Sequence, residues 1–210
     1  QRQMCIRDRT SGTLRQMFPR MGRCLQRPAF TGYMVAAGLG FGTLFSYIAA
    51  SPLVLQLQLG LSPTTFSLVF GSIALLIPLS NTLNMRLLKR HQPRTLLTIA
   101  LGVDLTVGAI LLAFSILGPS TAMIPFIAIL SAMAGFIMAN ASALAIEEVR
   151  DIGTGAGTGV MGFFQFIIGG LVPPLVALGP NPAAAMALGV LTCAGLALTG
   201  ARISSRFHRS

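Results

Sequence analysis

Apolar residues run almost unbroken through six stretches of this chain, parted by short segments rich in glycine, proline or charge. The stretches cover about Phe30 to Leu57, Thr64 to Leu88, Thr95 to Leu117, Ala122 to Ile146, Gly155 to Leu178 and Ala183 to Ala201. A helix rising 1.5 Å per residue needs about 20 apolar residues to cross roughly 30 Å of hydrocarbon. The pattern therefore predicts six transmembrane helices. Pro28 suits the opening position of the first, where a missing N–H costs nothing. Ser51-Pro52 predicts a break inside that helix, and Pro173-Pro174 a bend at the far end of the fifth.

The connections between these stretches fall into two classes. Gly60-Leu61-Ser62, Gly118-Pro119-Ser120 and Gly179-Pro180-Asn181-Pro182 carry no charge. The alternate connections carry Arg86, Lys89, Arg90 and Arg94, then Glu147 to Asp151, and the tail carries Arg202, Arg206 and Arg209. Basic residues are held on the cytoplasmic side of a bilayer. Both ends of the chain are therefore expected in the cytoplasm of a bacterial cell whose inner membrane the helices span. Composition agrees, with 53% hydrophobic and only 10% charged residues, against about 25% charged in ordinary soluble domains. The net charge of +10 reflects this one-sided placement, and no nucleic-acid partner is expected. Cys5, Cys24 and Cys193 have neither metal-ligand spacing nor a disulfide pattern.

Four segments follow. Residues 1–9, QRQMCIRDR, match the conceptual translation of an adaptor used in preparing sequencing libraries, and are expected to be an artefact. Residues 10–27 read as a basic cytoplasmic linker, with an amphipathic surface helix as the alternative. Residues 28–201 form the six-helix transmembrane bundle, and residues 202–210 a basic cytoplasmic tail.

The turn Glu147-Glu148-Val149-Arg150-Asp151 must lie at a water interface, because charge is costly in hydrocarbon. It leads into Gly153, Gly155, Gly157, Gly159 and Gly162, then Phe163-Phe164-Gln165-Phe166. A phosphate cradle would need a preceding strand and a lysine in the loop, and neither is present. Gly155, Gly159 and Gly162 are instead expected to pack closely against another helix.

Several residues resemble a known family. Phe30-x-x-Tyr33, Phe41-x-x-x-Phe45-Ser46-Tyr47-Ile48-x-x-Ser51-Pro52, Phe66 and Phe70 resemble the seventh and eighth spans of the Bcr/CflA drug:proton antiporters, a subfamily of the major facilitator superfamily. Asn140-Ala-x-Ala143-x-Ala145, the acidic turn, Gly157-Thr158, Gln165-Phe166 and Gly169 are similar to its tenth and eleventh spans. Asn84-Met85-Arg86-Leu87-Leu88-Lys89-Arg90 resembles its loop between the eighth and ninth. The resemblance covers about Pro28 to Arg206. It implies an all-α integral membrane protein whose six transmembrane helices form the C-terminal bundle of a twelve-helix major facilitator fold. In such folds the substrate site lies at the midplane between two six-helix halves. A missing N-terminal half would then be a partner, together with the lipid bilayer, protons and a small apolar or amphipathic drug. The family's acidic proton site of the first span would lie on that missing half.

Candidate site residues follow from polarity at membrane depth. Tyr33, Phe41, Phe45, Tyr47, Asn140, Gln165 and Phe166 are candidates for binding substrate, since a few polar groups among aromatics orient an apolar ligand. Interhelical hydrogen bonding alone would equally explain the amides. Gln165 lies three residues beyond Gly162, so packing and cavity compete for it. Asn81 and Asn84, near the cytoplasmic end, suit capping or loop anchoring. Asp104 is the only acid embedded in a span. It either carries protons, because burial favours the neutral carboxyl, or is held by Thr98, Thr106 or a neighbouring helix. Arg86, Lys89 and Arg90 suit a cytoplasmic gate or lipid-phosphate anchors. No nucleophile–base pair, metal cluster or cofactor fingerprint occurs, so neither an enzyme nor a bound cofactor or metal is expected, and the proton gradient is the implied energy source. The alternatives are a non-transporting membrane scaffold, a non-functional fragment, or a metabolite exporter of the same superfamily.

Overall fold

A computed structural model describes residues 14–118 and 120–207. The suspected adaptor at 1–9 lies outside them. A short helix, α1 (Leu14–Leu25), precedes α2 (Pro28–Ser51), which continues as a π-helix over Pro52–Gln58. Then come α3 (Pro63–Ala74), α4 (Leu76–Leu87), α5 (Pro93–Leu117), a 3₁₀ turn at Thr121–Met123, α6 (Ile124–Glu147), α7 (Thr154–Ala177) and α8 (Pro182–Phe207). Taken as spans, with α3 and α4 forming one, these give six helices long and apolar enough to cross a membrane. The protein is a multi-pass membrane protein.

Local sequence sets the ends. Proline opens α2, α3, α5 and α8, where its fixed φ already suits a helix. Ser62 caps α3 by accepting from the Thr65 N–H at 3.2 Å. Asn181 caps α8, its Oδ1 accepting from the N–H groups of Ala183 and Ala184 at 3.1 and 3.2 Å. Gly118 ends α5 with φ at +120°, a conformation other residues avoid.

Three expectations change. Ser51-Pro52 does not break the first span. The proline removes a donor and crowds the turn before it, and the helix widens into a π-helix instead of stopping. The second span, expected to be continuous, is interrupted at Leu75. Pro78 has no N–H for the Ala74 carbonyl, and its ring crowds that carbonyl, so the helix re-forms only beyond Leu75. Residues 202–207 are not a separate tail, because α8 runs on through Phe207. The basic stretch before the first span is also partly helical, as α1. By contrast, α7 passes through Pro173 and Pro174 without interruption.

Close approach of small residues organises the bundle. A Cβ on Gly32 of α2 would stand 2.7 Å from the Gly200 carbonyl of α8, so only glycine allows this contact. Beside it Ser204 donates to the Ala29 carbonyl at 2.9 Å. α2 and α8 form the most extensive pairing, with α5 and α6 completing a four-helix centre. One half of the core gathers Phe30, Tyr33, Leu101 and Ile137; the other gathers Tyr47, Leu55, Leu111 and Met186. The remaining two spans are flanks. The α3–α4 span is only 11% buried and α7 28%, against 44–56% for the other four. The α3–α4 span leans chiefly on α6, and α7 chiefly on α2.

Candidate functional site

The widest grouping of candidate substrate residues lies where α2 meets α7. Phe41 and Phe45 stand one turn apart on α2 with ring centroids 4.5 Å apart, and Phe41 meets Phe166 of α7 edge-on at 6.3 Å. Gly169 makes room for them, since a Cβ there would come within 2.9 Å of the Phe41 ring. Phe41 and Phe45 are half-buried, while Phe166 is 77% exposed. Gln165 sits beside Phe166 on α7, half-buried, with no hydrogen bond among the described residues. The surface so formed is aromatic and open, with a single free amide at its border.

The glycine ladder behaves differently from the expectation. A Cβ added at Gly155, Gly159 or Gly162 would meet nothing within 4 Å, so these three pack against no neighbour. Close packing of α7 falls instead on Gly157, against Val149, and on Gly169. Helical geometry spreads Gly155, Gly159, Gly162 and Phe166 over one broad face, and that face is uncovered. Gln165 is accordingly not locked into a glycine seam.

Tyr33 and Asn140 do not join this surface. Both are 1% exposed, closed inside the bundle. Asn140 Nδ2 donates to Asn84 Oδ1 at 2.7 Å and to the Phe136 carbonyl at 2.8 Å. Asn84, expected to cap or anchor a loop, thus ties α4 to α6. The same seam holds Ser131, which donates to the Ile73 carbonyl at 3.2 Å, and Gly135, seated against Ser80 and the Ile77 carbonyl. Tyr47 belongs to a third place. Its ring stacks on Phe70 at 5.7 Å, and Phe70 meets Phe66 at 5.6 Å, joining α2 to α3.

Asp104 is fully buried in α5. Its partner is neither Thr98 nor Thr106, whose hydroxyls donate to the carbonyls of Arg94 and Gly102. It is Thr43 of α2, whose Oγ1 lies 3.2 Å from Asp104 Oδ2 and 2.8 Å from the Gly40 carbonyl. One hydroxyl proton cannot serve both acceptors. The other carboxyl oxygen, Oδ1, has no protein partner. Asp104 and Thr43 meet in the interior of the four-helix centre, away from the open aromatic surface.

The charged ends complete the map. Arg86, Lys89 and Arg90 are exposed, and none has an ion-pair partner among the described residues. A salt bridge not legible in the sequence joins Arg27, before α2, through Nη2 to Asp151, before α7. Arg27 Nη1 also donates to the Glu148 carbonyl at 2.6 Å. The Arg27 guanidinium, hydrogen-bonded to Asp151, holds that carboxyl below the usual carboxylate range.

Comparison with known proteins agrees with this architecture. The family model described as Major Facilitator Superfamily matches residues 8–174. The chain is also 28% identical, over 167 residues, to an uncharacterized MFS-type transporter, YdgK, of Bacillus subtilis (strain 168). That alignment covers 79% of this chain and 41% of the relative, so the chain spans about two fifths of that relative's length. Six apolar helices in one bundle, with the family's match running from ahead of α1 into α7, make this chain a member of the major facilitator superfamily of membrane transporters.

Proposed function

We propose that this bundle is the C-terminal half of a proton-coupled multidrug exporter of the Bcr/CflA kind, carrying small apolar or amphipathic compounds out across a bacterial inner membrane. The carrying observation is the open aromatic surface of Phe41, Phe45 and Phe166 with Gln165 at its border. Aromatic faces with few polar groups favour apolar ligands and orient them by one or two hydrogen bonds. An amide at membrane depth with no partner within the bundle gains by facing a cavity and not lipid. The uncovered face of α7 and the largely exposed α3–α4 span give a second six-helix half two flanks to meet, with substrate between the halves.

Proton coupling is assigned to that other half. Asp104 is closed inside the bundle, where it meets Thr43 of α2, which suits a carboxyl that joins helices and does not exchange protons with a cavity. The test uses the complete transporter in cells, scored for export of a panel of drugs and for the amount of folded protein. Gln165→Ala and Phe41→Ala should change which drugs are exported at an unchanged amount of folded protein. An unchanged drug profile in both, at normal protein levels, would remove this surface from the substrate path. Export of a polar metabolite, and of no drug, would favour a metabolite exporter. Asp104→Asn keeps the shape and removes the titratable proton, and should leave proton-driven export intact. Its loss would make Asp104 the coupling group.

A further inference from the structure

Between α1 and the start of α7 lies a cavity of about 840 Å³. Four arginines line it, Arg20, Arg23, Arg27 and Arg150, against a single acidic residue, Asp151. Arg27 is already engaged by Asp151 and the Glu148 carbonyl. Arg20, Arg23 and Arg150 have no ion-pair partner among the described residues. Three unpaired arginines around one cavity repel one another, and that repulsion is relieved by an anion with several acceptor oxygens. Guanidinium suits phosphate best, since its planar fork can donate two hydrogen bonds to two oxygens at once.

The start of α7 adds to the same field. α7 begins after Gly153, which has φ at +135° and offers no side-chain cap. The N–H groups of Ala156 and Gly157 turn back to the Gly153 carbonyl, while those of Thr154 and Gly155 have no such bond and border the cavity. Gly153 and Gly155 have nothing within 4 Å on their Cβ side, so an oxygen ligand can reach this backbone. Free N–H groups at a helix start, with the dipole behind them, favour negative charge. The arginines remain the main source of that attraction.

We propose that this cavity binds the phosphate of an anionic phospholipid headgroup. A free phosphate offers the same oxygens, but the surroundings favour the lipid. Met17 lines the cavity, and on the same short helix Phe18 is 73% exposed and Leu25 48%. Apolar side chains standing free next to cations are the pattern of a helix that lies in the headgroup region of a membrane. The site goes beyond transport itself, since it involves neither the aromatic surface nor the buried Thr43–Asp104 pair.

The full chain, purified in a mild detergent, is heated alone, with phosphatidylglycerol, with phosphatidylcholine, or with inorganic phosphate. Lipid retained by each sample is also measured by native mass spectrometry. Phosphatidylglycerol should raise the unfolding midpoint and be retained, phosphatidylcholine much less so. Arg20→Gln/Arg23→Gln/Arg150→Gln should lose both effects, and Arg150→Gln alone should lose part of each. Retention and protection equal to wild type in the triple variant would overturn the site. If the triple variant does not fold, full retention in Arg150→Gln would overturn it instead. Equal protection by inorganic phosphate would overturn the lipid as its occupant, and equal protection by phosphatidylcholine would overturn its selectivity for anionic headgroups.

Discussion

Adding one methyl group should have opposite consequences at two glycines of this bundle. At Gly135 on α6, a Cβ would stand 2.1 Å from Ser80 Oγ, 2.9 Å from the Ile77 carbonyl oxygen and 3.2 Å from Asn81 Oδ1. The serine hydroxyl can turn aside, at the expense of its own 2.8 Å bond to the Ile77 carbonyl. The carbonyl belongs to the backbone of α4 and cannot. Gly135→Ala must therefore push α4 outward along the seam that Asn84–Asn140 and Ser131–Ile73 hold together. Overpacking of this kind costs about 1–3 kcal/mol. At Gly159 on α7 nothing lies within 4 Å, and alanine is the better helix former by up to about 1 kcal/mol. Gly159→Ala should be neutral or mildly stabilising in this bundle. Unfolding in mixed micelles of rising dodecyl sulfate content, followed by circular dichroism, measures both. Ser80→Ala/Gly135→Ala removes the closer clash and leaves the carbonyl, so it should recover only part of the loss. Wild-type stability in Gly135→Ala, or an equal loss at Gly159, would refute the packing described for α6 and α7.

Three further outcomes are expected. In a double-mutant cycle, Asn84→Ala and Asn140→Ala should couple by about 0.6 kcal/mol and by no more than about 1.7, the range of interhelical hydrogen bonds in membranes; additive losses would mean that the two amides do not bond. Because Arg27 lowers the Asp151 carboxyl below its ordinary value near about 3.9, the pair's contribution is complete above that value and disappears as pH falls through the lower folded one. Acid titration should therefore cost the wild type more stability than Arg27→Gln over that window, and parallel curves would show the pair to be inert. Single cysteines at Gly60, Gly118 and Asn181, in a chain without Cys5, Cys24 and Cys193, should react with an impermeant maleimide outside intact cells. Labelling at Lys89 from outside would reverse the orientation.

Chain-crossing lengths were the most legible part of the fold. A run of apolar residues bounded by Pro or Gly names its own ends, and all six spans end within a few residues of expectation. The interruption at Leu75 was also written in the chain, at Pro78, one turn beyond it. Pairings across helices were not. Asn84 and Asn140 are 56 positions apart, and Thr43 and Asp104 are 61 apart. Polarity at depth flags each residue as needing a partner, but period and composition do not say which helix supplies it. The glycine run of α7 shows the same limit. Spacing correctly gathers Gly155, Gly159 and Gly162 on one face, yet what covers a face depends on the neighbouring helices. The tight contacts went to Gly38 and Gly40 of a second alternating run, and to Gly32 and Gly135, which have no ladder spacing to announce them. The aromatic surface was partly legible, since Phe41, Phe45, Gln165 and Phe166 stand out by type, whereas Tyr33 and Asn140 stand out equally and lie buried.

The pairing of α2 with α8 has a consequence for how the protein is made. Ser204 bonds to the Ala29 carbonyl across 175 positions, so the largest helix contact joins the earliest of these spans to the latest. A ribosome adding about 5–20 residues per second leaves α2 waiting for roughly ten seconds or more before α8 emerges. During that interval the groove around Gly32 stands open to lipid or to whatever insertion machinery shelters it. Closure of the bundle is then a late event, and a stop or frameshift within α8 would leave a nearly complete set of spans with its central groove unfilled, a form for membrane proteases to clear.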